Sequence, residues 1–180
     1  MTRPDSELIA RVVISDDHAA FRELVIRHQS AVRQFLRHLA RGNATLADDL
    51  AQETFVHAYR NLHRFRGDSS FTTWLLGIAH NHWRNARRQQ RDDVQFETLR
   101  TPEAAVPATA SQSDLQHDLA AALHELSPDE QTALHLCYQQ GLSHSEISAL
   151  LDWPLGTVKT HLARSKEKLR QLLAVWNPTT

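Results

Sequence analysis

The chain is poor in residues that cross-link or break a polypeptide: its 180 positions hold one cysteine, one methionine, five glycines and six prolines. A lone Cys137 excludes an internal disulfide, and its place in an apolar helical stretch predicts a buried small hydrophobe. Few Gly and Pro, abundant Leu and Ala and little period-two alternation predict an all-α protein. No run of about 18 apolar residues occurs, so no membrane span is expected. The opening MTRPDSELIARVV carries acids and lacks a signal-peptide core, which predicts a cytoplasmic location. A phosphate-binding Gly loop, a nucleophile elbow and an HExxH motif are missing too. Twelve histidines invite a metal site, but His80 with His82 and His117 with His124 lack the i,i+4 spacing of a helical zinc motif, and no Cys cluster accompanies them. No catalytic residue, metal or other cofactor is expected.

Net charge is nearly absent as well, −1 at pH 7, yet the charge is segregated along the chain. Residues 84–91, RNARRQQR, hold four Arg and no acid, and residues 159–170 hold five cations against Glu167 alone. Asp48, Asp49 and Glu53 cluster, and residues 101–127 carry four acids with no Lys or Arg. Two basic patches flanking an acidic strip predict two nucleic-acid contacts joined by a segment that DNA repels. Over residues 92–112 helical periodicity fails and Pro, Ala, Thr and Ser gather, which predicts a linker over 93–112 between domains at 1–92 and 113–180.

Residues 141–170, GLSHSEISALLDWPLGTVKTHLARSKEKLR, read as two helices and a tight turn. Ser143 and Glu146 have capping-box spacing. Ile147, Leu150 and Leu151 supply a buried stripe, and Asp152 and Trp153 interrupt it. Pro154 offers a pre-set first helical position. Val158, Leu162, Leu169 and Leu172 then face inward, leaving Thr157, Lys159, Thr160, His161, Arg164 and Lys166 outside. A helix-turn-helix with a cationic second helix suits the major groove of duplex DNA.

The first domain shows three helical patterns. One runs from Phe21 to Leu39, ending near Gly42. A second spans about Leu46 to Leu62, burying Leu50, Ala51, Phe55, Ala58, Tyr59 and Leu62 and turning Asp49, Gln52, Glu53 and Val56 outward; this acidic face is either a solvated surface or a protein-binding one. A third follows the turn at 64–70, with Asp68, Ser69 or Ser70 as cap. Phe71, Trp74, Leu75, Ile78 and Ala79 form its core stripe, opposite His80, Asn81, Arg84, Arg87 and Arg88, a set suited to phosphate and base-edge contacts. In the turn, Phe65 between Arg64 and Arg66 is either a stacking platform for an unpaired base or a packing anchor.

Residues 48–92, DDLAQETFVHAYRNLHRFRGDSSFTTWLLGIAHNHWRNARRQQRD, resemble region two of the extracytoplasmic-function (ECF) sigma factors of the sigma-70 family. Residues 126–169, LSPDEQTALHLCYQQGLSHSEISALLDWPLGTVKTHLARSKEKL, resemble region four. The resemblance implies that Asp48, Asp49, Gln52, Glu53 and Phe55 meet the clamp helices of the largest subunit of core RNA polymerase, and that the flap of the second-largest subunit is a further partner. It implies that Asn81, Arg84, Asn85, Arg87 and Arg88 engage the minus-ten element, and that the turn with Arg64, Phe65, Arg66, Ser69 and Ser70 captures a flipped base. The helix from Leu155 onward would read the minus-thirty-five element. Such a protein assists promoter melting without catalysis of its own, and an anti-sigma factor, membrane-anchored in many cases, is an expected partner. His161 stands where many relatives carry Arg, which points to altered DNA choice, and Asp152 takes a turn position often filled by Gly. The competing expectation is a conventional helix-turn-helix regulator with an N-terminal sensor or dimerisation domain.

Overall fold

The computed structural model describes residues 3–41, 43–94 and 114–174, and among them the regular structure is all helical. The chain divides into two compact units, Met1–Ala104 and Ala105–Thr180. No described helix is long and apolar enough to cross a membrane.

The N-terminal unit contains α1 (Asp5–Ser15), α2 (His18–Leu39), α3 (Ala44–Asn61) and α4 (Phe71–Val94). Caps set the boundaries. The Asp17 carboxylate accepts the Ala19 and Ala20 N–H groups at 2.9 and 3.0 Å, and the Asn43 side chain accepts from Leu46 N–H at 3.0 Å, so α3 begins two residues ahead of the expected Leu46. Of the three candidate caps for α4, Ser70 does the work, its Oγ accepting from Thr73 N–H at 3.0 Å. Each such cap stabilises its helix by about 1 kcal/mol. Leu24, Val32, Phe35 and Leu36 of α2 are buried with Leu50 and Ala51 of α3 and Leu75, Leu76 and Ala79 of α4.

Helix α1 has no counterpart among the sequence expectations. It buries Leu8 and Val12, and a polar network completes its anchorage. His28 reaches Asp5 Oδ2 at 2.9 Å and Thr72 Oγ1 at 3.0 Å, tying α1, α2 and α4 together. Arg27 donates to the Arg3 carbonyl at 2.6 Å, to Asp5 at 2.9 Å and to Glu23. Helix α4 continues through Val94, past the expected boundary at 92, while residues 95–112 of the expected linker and Gly42 lie outside the described residues.

The C-terminal unit contains α5 (Asp114–His124), α6 (Pro128–Leu134), a π turn at His135–Gln139, α7 (His144–Leu151) and α8 (Leu155–Leu172). Both α6 and α7 open on capping boxes, Ser127 with Glu130 and Ser143 with Glu146. The core gathers Leu126, Ala133, Leu136, Ile147, Val158 and Leu162. Glu130 is buried, and Lys168 Nζ meets its carboxylate at 2.8 Å. Burial alone raises the Glu130 carboxyl, but Lys168 and the Ser127 N–H outweigh it and hold the group below the usual carboxylate range.

Three expectations for this unit need correction. Pro154 is the N-cap of α8, not its first helical residue: with ψ at 139° it is extended, and its carbonyl accepts from Thr157 and Val158 N–H at 2.9 and 3.2 Å. Leu172 is 48 % exposed and Leu169 half-buried, whereas Ser165 is fully buried and donates to the His161 carbonyl at 2.6 Å. Periodicity gives a side chain's direction, not whether a neighbour waits there. Cys137 is half-buried.

Candidate nucleic-acid and protein interfaces

The turn between α7 and α8 aims the second helix. Asp152 takes the left-handed conformation (φ 57°, ψ 41°) that a short polar side chain tolerates. Trp153 N–H then returns to the Ser148 carbonyl at 3.1 Å, and Ser148 Oγ donates to the Trp153 carbonyl at 2.5 Å. Held this way, α8 buries Val158, Leu162 and Ser165 and exposes Lys159, Thr160, Arg164 and Lys166. Thr157 and His161 lie half-buried on one flank. The His161 ring packs 5.2 Å from that of Trp153, and its Nδ1 is buried without a hydrogen-bond partner. Lys166 stands over the Tyr138 ring, 5.5 Å from its centroid.

Helix α4 exposes Asn81, Arg84, Asn85, Arg87 and Arg88. His80, expected on that stripe, is 8 % exposed and belongs to the core instead. Burial, with Arg84 adding repulsion, lowers its pKa to about 4 and holds the ring neutral. Arg87 stacks over Trp83, 5.4 Å from the ring centroid, a cation–π contact that directs the guanidinium. Ahead of α4, Arg64 and Arg66 are exposed, and Gly67 makes the turn at φ 77°. Phe65 is a packing anchor: its ring sits 5.5 Å from Phe71 and 5.4 Å from Trp74. Ser69 Oγ donates to the Ser70 carbonyl at 3.4 Å, and the Ser70 hydroxyl is engaged with Thr73.

On α3, Asp49, Gln52, Glu53 and Val56 are exposed together as the spacing predicts. Asp48 departs from them. One position round the helix, it points to α2 and pairs with Arg33 at 3.5 Å and Arg37 at 3.7 Å. Phe55 is half-buried and, with Phe21, Val25 and Tyr59, lines a groove of about 750 Å³ between α2 and α3 whose rim carries Asp48 and Asp49. Across α3, Glu53 meets His82 Nδ1 of α4 at 3.3 Å. Burial depresses the His82 pKa, opposed by Glu53 and assisted by His57. The acid face is therefore partly neutralised at Asp48 and open at Asp49.

The Sigma-70 region 2 family matches residues 24–92, and the Sigma-70, region 4 family matches residues 116–169. An ECF RNA polymerase sigma-E factor of Haemophilus influenzae is 33 % identical over 92 % of this chain and 93 % of its own length. RNA polymerase sigma factor CarQ of Myxococcus xanthus is 38 % identical over 86 % of this chain and 89 % of its own. The chain belongs to the ECF sigma factors of RNA polymerase. Among solved structures, the sigma factor RpoE of Bartonella quintana in complex with the anti-sigma factor NepR is similar, with a TM-score of 0.70 and 29 % identity over 86 % of this chain and 97 % of that one.

As a sigma factor the chain carries both regions in order, which does not favour a regulator acting through its C-terminal helix-turn-helix alone. Two residues of this sigma factor's surfaces escaped the sequence reading. Trp83 holds Arg87, and its signal was the four-residue spacing of an aromatic and a cation on one helix. Leu155, 42 % exposed, was expected to open α8 but was not singled out among its surface residues.

Proposed function

We propose that Asp49, Gln52 and Glu53, with Asp48 and the Phe55 groove beside them, form the surface that docks on the clamp helices of core RNA polymerase, and that the flap of the second-largest subunit engages the C-terminal domain. The domains are residues 1–92 and 113–180, joined by the linker 93–112, into whose first two residues α4 extends. Asn81, Arg84, Asn85, Arg87 and Arg88 contact the minus-ten element, and the turn bearing Arg64, Phe65, Arg66, Ser69 and Ser70 receives an unpaired base. Because Phe65 packs on Phe71 and Trp74, its part there is to shape the turn rather than to travel with the base. Thr157, Lys159, Thr160, His161, Arg164 and Lys166 of α8 serve the minus-thirty-five element, Thr157 and His161 from the flank.

The protein acts in the cytoplasm, where the polymerase performs the nucleotide chemistry and the sigma factor none. Capture of a base outside the stack offsets part of the cost of opening the duplex, a few kcal/mol per flipped nucleotide. A linker between two weak anchors raises their joint affinity through effective concentration. An anti-sigma factor is the expected regulator, as a complex of that kind exists for the similar protein of Bartonella quintana.

The observation that supports this reading best is the separation of surfaces. Exposed cations of α4 and α8 lie on different compact units, and α3 presents exposed acids of its own at Asp49 and Glu53. The test combines the purified chain with core polymerase and a promoter library. A stable complex and a specific run-off transcript are expected; absence of both refutes the assignment.

A further inference from the structure

We infer that α8 reads its upstream element in part through thymine methyl groups, using an apolar strip formed by Leu155, Thr160 and Ala163. This rests on the reading of α8 as the minus-thirty-five helix. Leu155 is the first residue of that helix and is 42 % exposed. At 3.6 residues per turn, Leu155, Lys159 and Ala163 form one row along the helix, with Gly156 and Thr160 in the next. Gly156, Thr160 and Ala163 are all exposed, and a Cβ placed on Gly156 would meet nothing within 4 Å, so the backbone there lies open to a close partner.

The one hydroxyl proton of the strip is already engaged. Thr160 Oγ1 donates its proton to the Gly156 carbonyl at 2.8 Å, leaving no proton for a base acceptor and a methyl group in the side chain. The exposed face thus offers carbon at Gly156, Thr160 and Ala163, with Lys159 interleaved in the Leu155 row and Arg164 and Lys166 to either side. That arrangement fits a polyanion with an apolar feature inside its groove. In the major groove, that feature is the C5-methyl of thymine, which cytosine lacks. Cations at the margin supply phosphate affinity without choosing a sequence. His161 lies off this strip, on the flank against Trp153.

The experiment uses the full chain bound to core polymerase and a duplex library randomised over the upstream element. Selected elements are expected to contain thymine. Replacing single thymines by deoxyuridine should weaken holoenzyme binding about fourfold at one or two positions, the effect of one buried methyl group. Leu155→Ala should weaken binding to the thymine element and erase the deoxyuridine penalty at its position, with core affinity unchanged; Thr160→Ser is the matching test for the second row. Deoxyuridine tolerated everywhere, or a penalty that survives both substitutions, overturns the strip while leaving the minus-thirty-five reading in place. A selection with no upstream preference of any kind overturns both.

Discussion

Helices α4 and α8 both turn cations outward, but in different company. On α4, Arg84, Arg87 and Arg88 fall within five positions, with Asn81 and Asn85 beside them. On α8, Lys159, Arg164 and Lys166 are spread over eight positions, with Leu155, Gly156, Thr160 and Ala163 exposed among them. Dense charge favours phosphate contact, strong in affinity and blind to sequence; sparse charge around small groups lets base edges come close. The interiors differ as well. The N-terminal unit buries a neutral His80 behind its cationic helix, whereas the C-terminal unit ties its cationic helix to a buried carboxylate, Glu130, through Lys168.

Acid should separate the two units most strongly. The folded-state pKa of His80, about 4, lies below its unfolded value of 6.5. The neutral ring therefore costs nothing above pH 6.5. Below that the unfolded chain takes up the proton first, so stability is lost progressively down to pH 4, by about 3 kcal/mol. His38, also depressed by burial and by Arg41, acts in the same direction. Denaturant melts followed by hydrogen exchange in α4 measure this, and His80→Leu should flatten the slope. If the slope is unchanged in that variant, the titrating group lies elsewhere.

Next in size is the contrast between cations. Arg164→Ala should cost about 1 to 3 kcal/mol on the preferred upstream element and much less on others. Arg88→Ala should weaken binding across sequences and reduce the salt slope by about 1. Holoenzyme titrations over several salt concentrations decide it, and a sequence-independent loss at Arg164 would erase the distinction between α4 and α8. Within the C-terminal unit, Lys168→Met should cost about 1 to 2 kcal/mol by leaving the buried Glu130 carboxylate short of a partner. Because the Glu130 pKa lies below its ordinary 4.5, that cost is present above pH 4.5 and fades as the carboxylate protonates below it. The smallest effect belongs to the turn: Asp152→Val, a β-branched residue at φ 57°, should lower stability by about 1 kcal/mol and leave the N-terminal unit unchanged in thermal melts.

How much of this was legible in the sequence depended on the kind of signal. The start of α7 was legible because a capping box is written in adjacent residues, whereas the left-handed Asp152 followed only from the resemblance, which puts it at a turn position often filled by Gly. The acidic face of α3 and the arginines of α4 followed from spacing. One-residue distinctions did not: Asp48 and Asp49 are identical in type, yet a 100° step turns one toward Arg33 and Arg37. His80 and Asn81 read alike as polar, yet His80 follows Leu76 and Ala79 into the core. Helix α1 was missed because Val13 and Ile14 are exposed while Leu8 and Val12 are buried, so its apolar pattern points both ways. Its anchorage comes from long-range polar contacts of Arg27 and His28 that no local pattern displays.

The central claim is that the exposed acids of α3 dock the protein on core polymerase, separately from either DNA-facing helix. The direct measurement is the affinity of labelled protein for core polymerase, comparing the unaltered chain with Asp49→Lys/Glu53→Lys. Loss of the opposed charges should weaken binding by at least about 30-fold, with an unchanged helical spectrum because both residues are exposed. Unaltered affinity in a folded double variant would contradict the account.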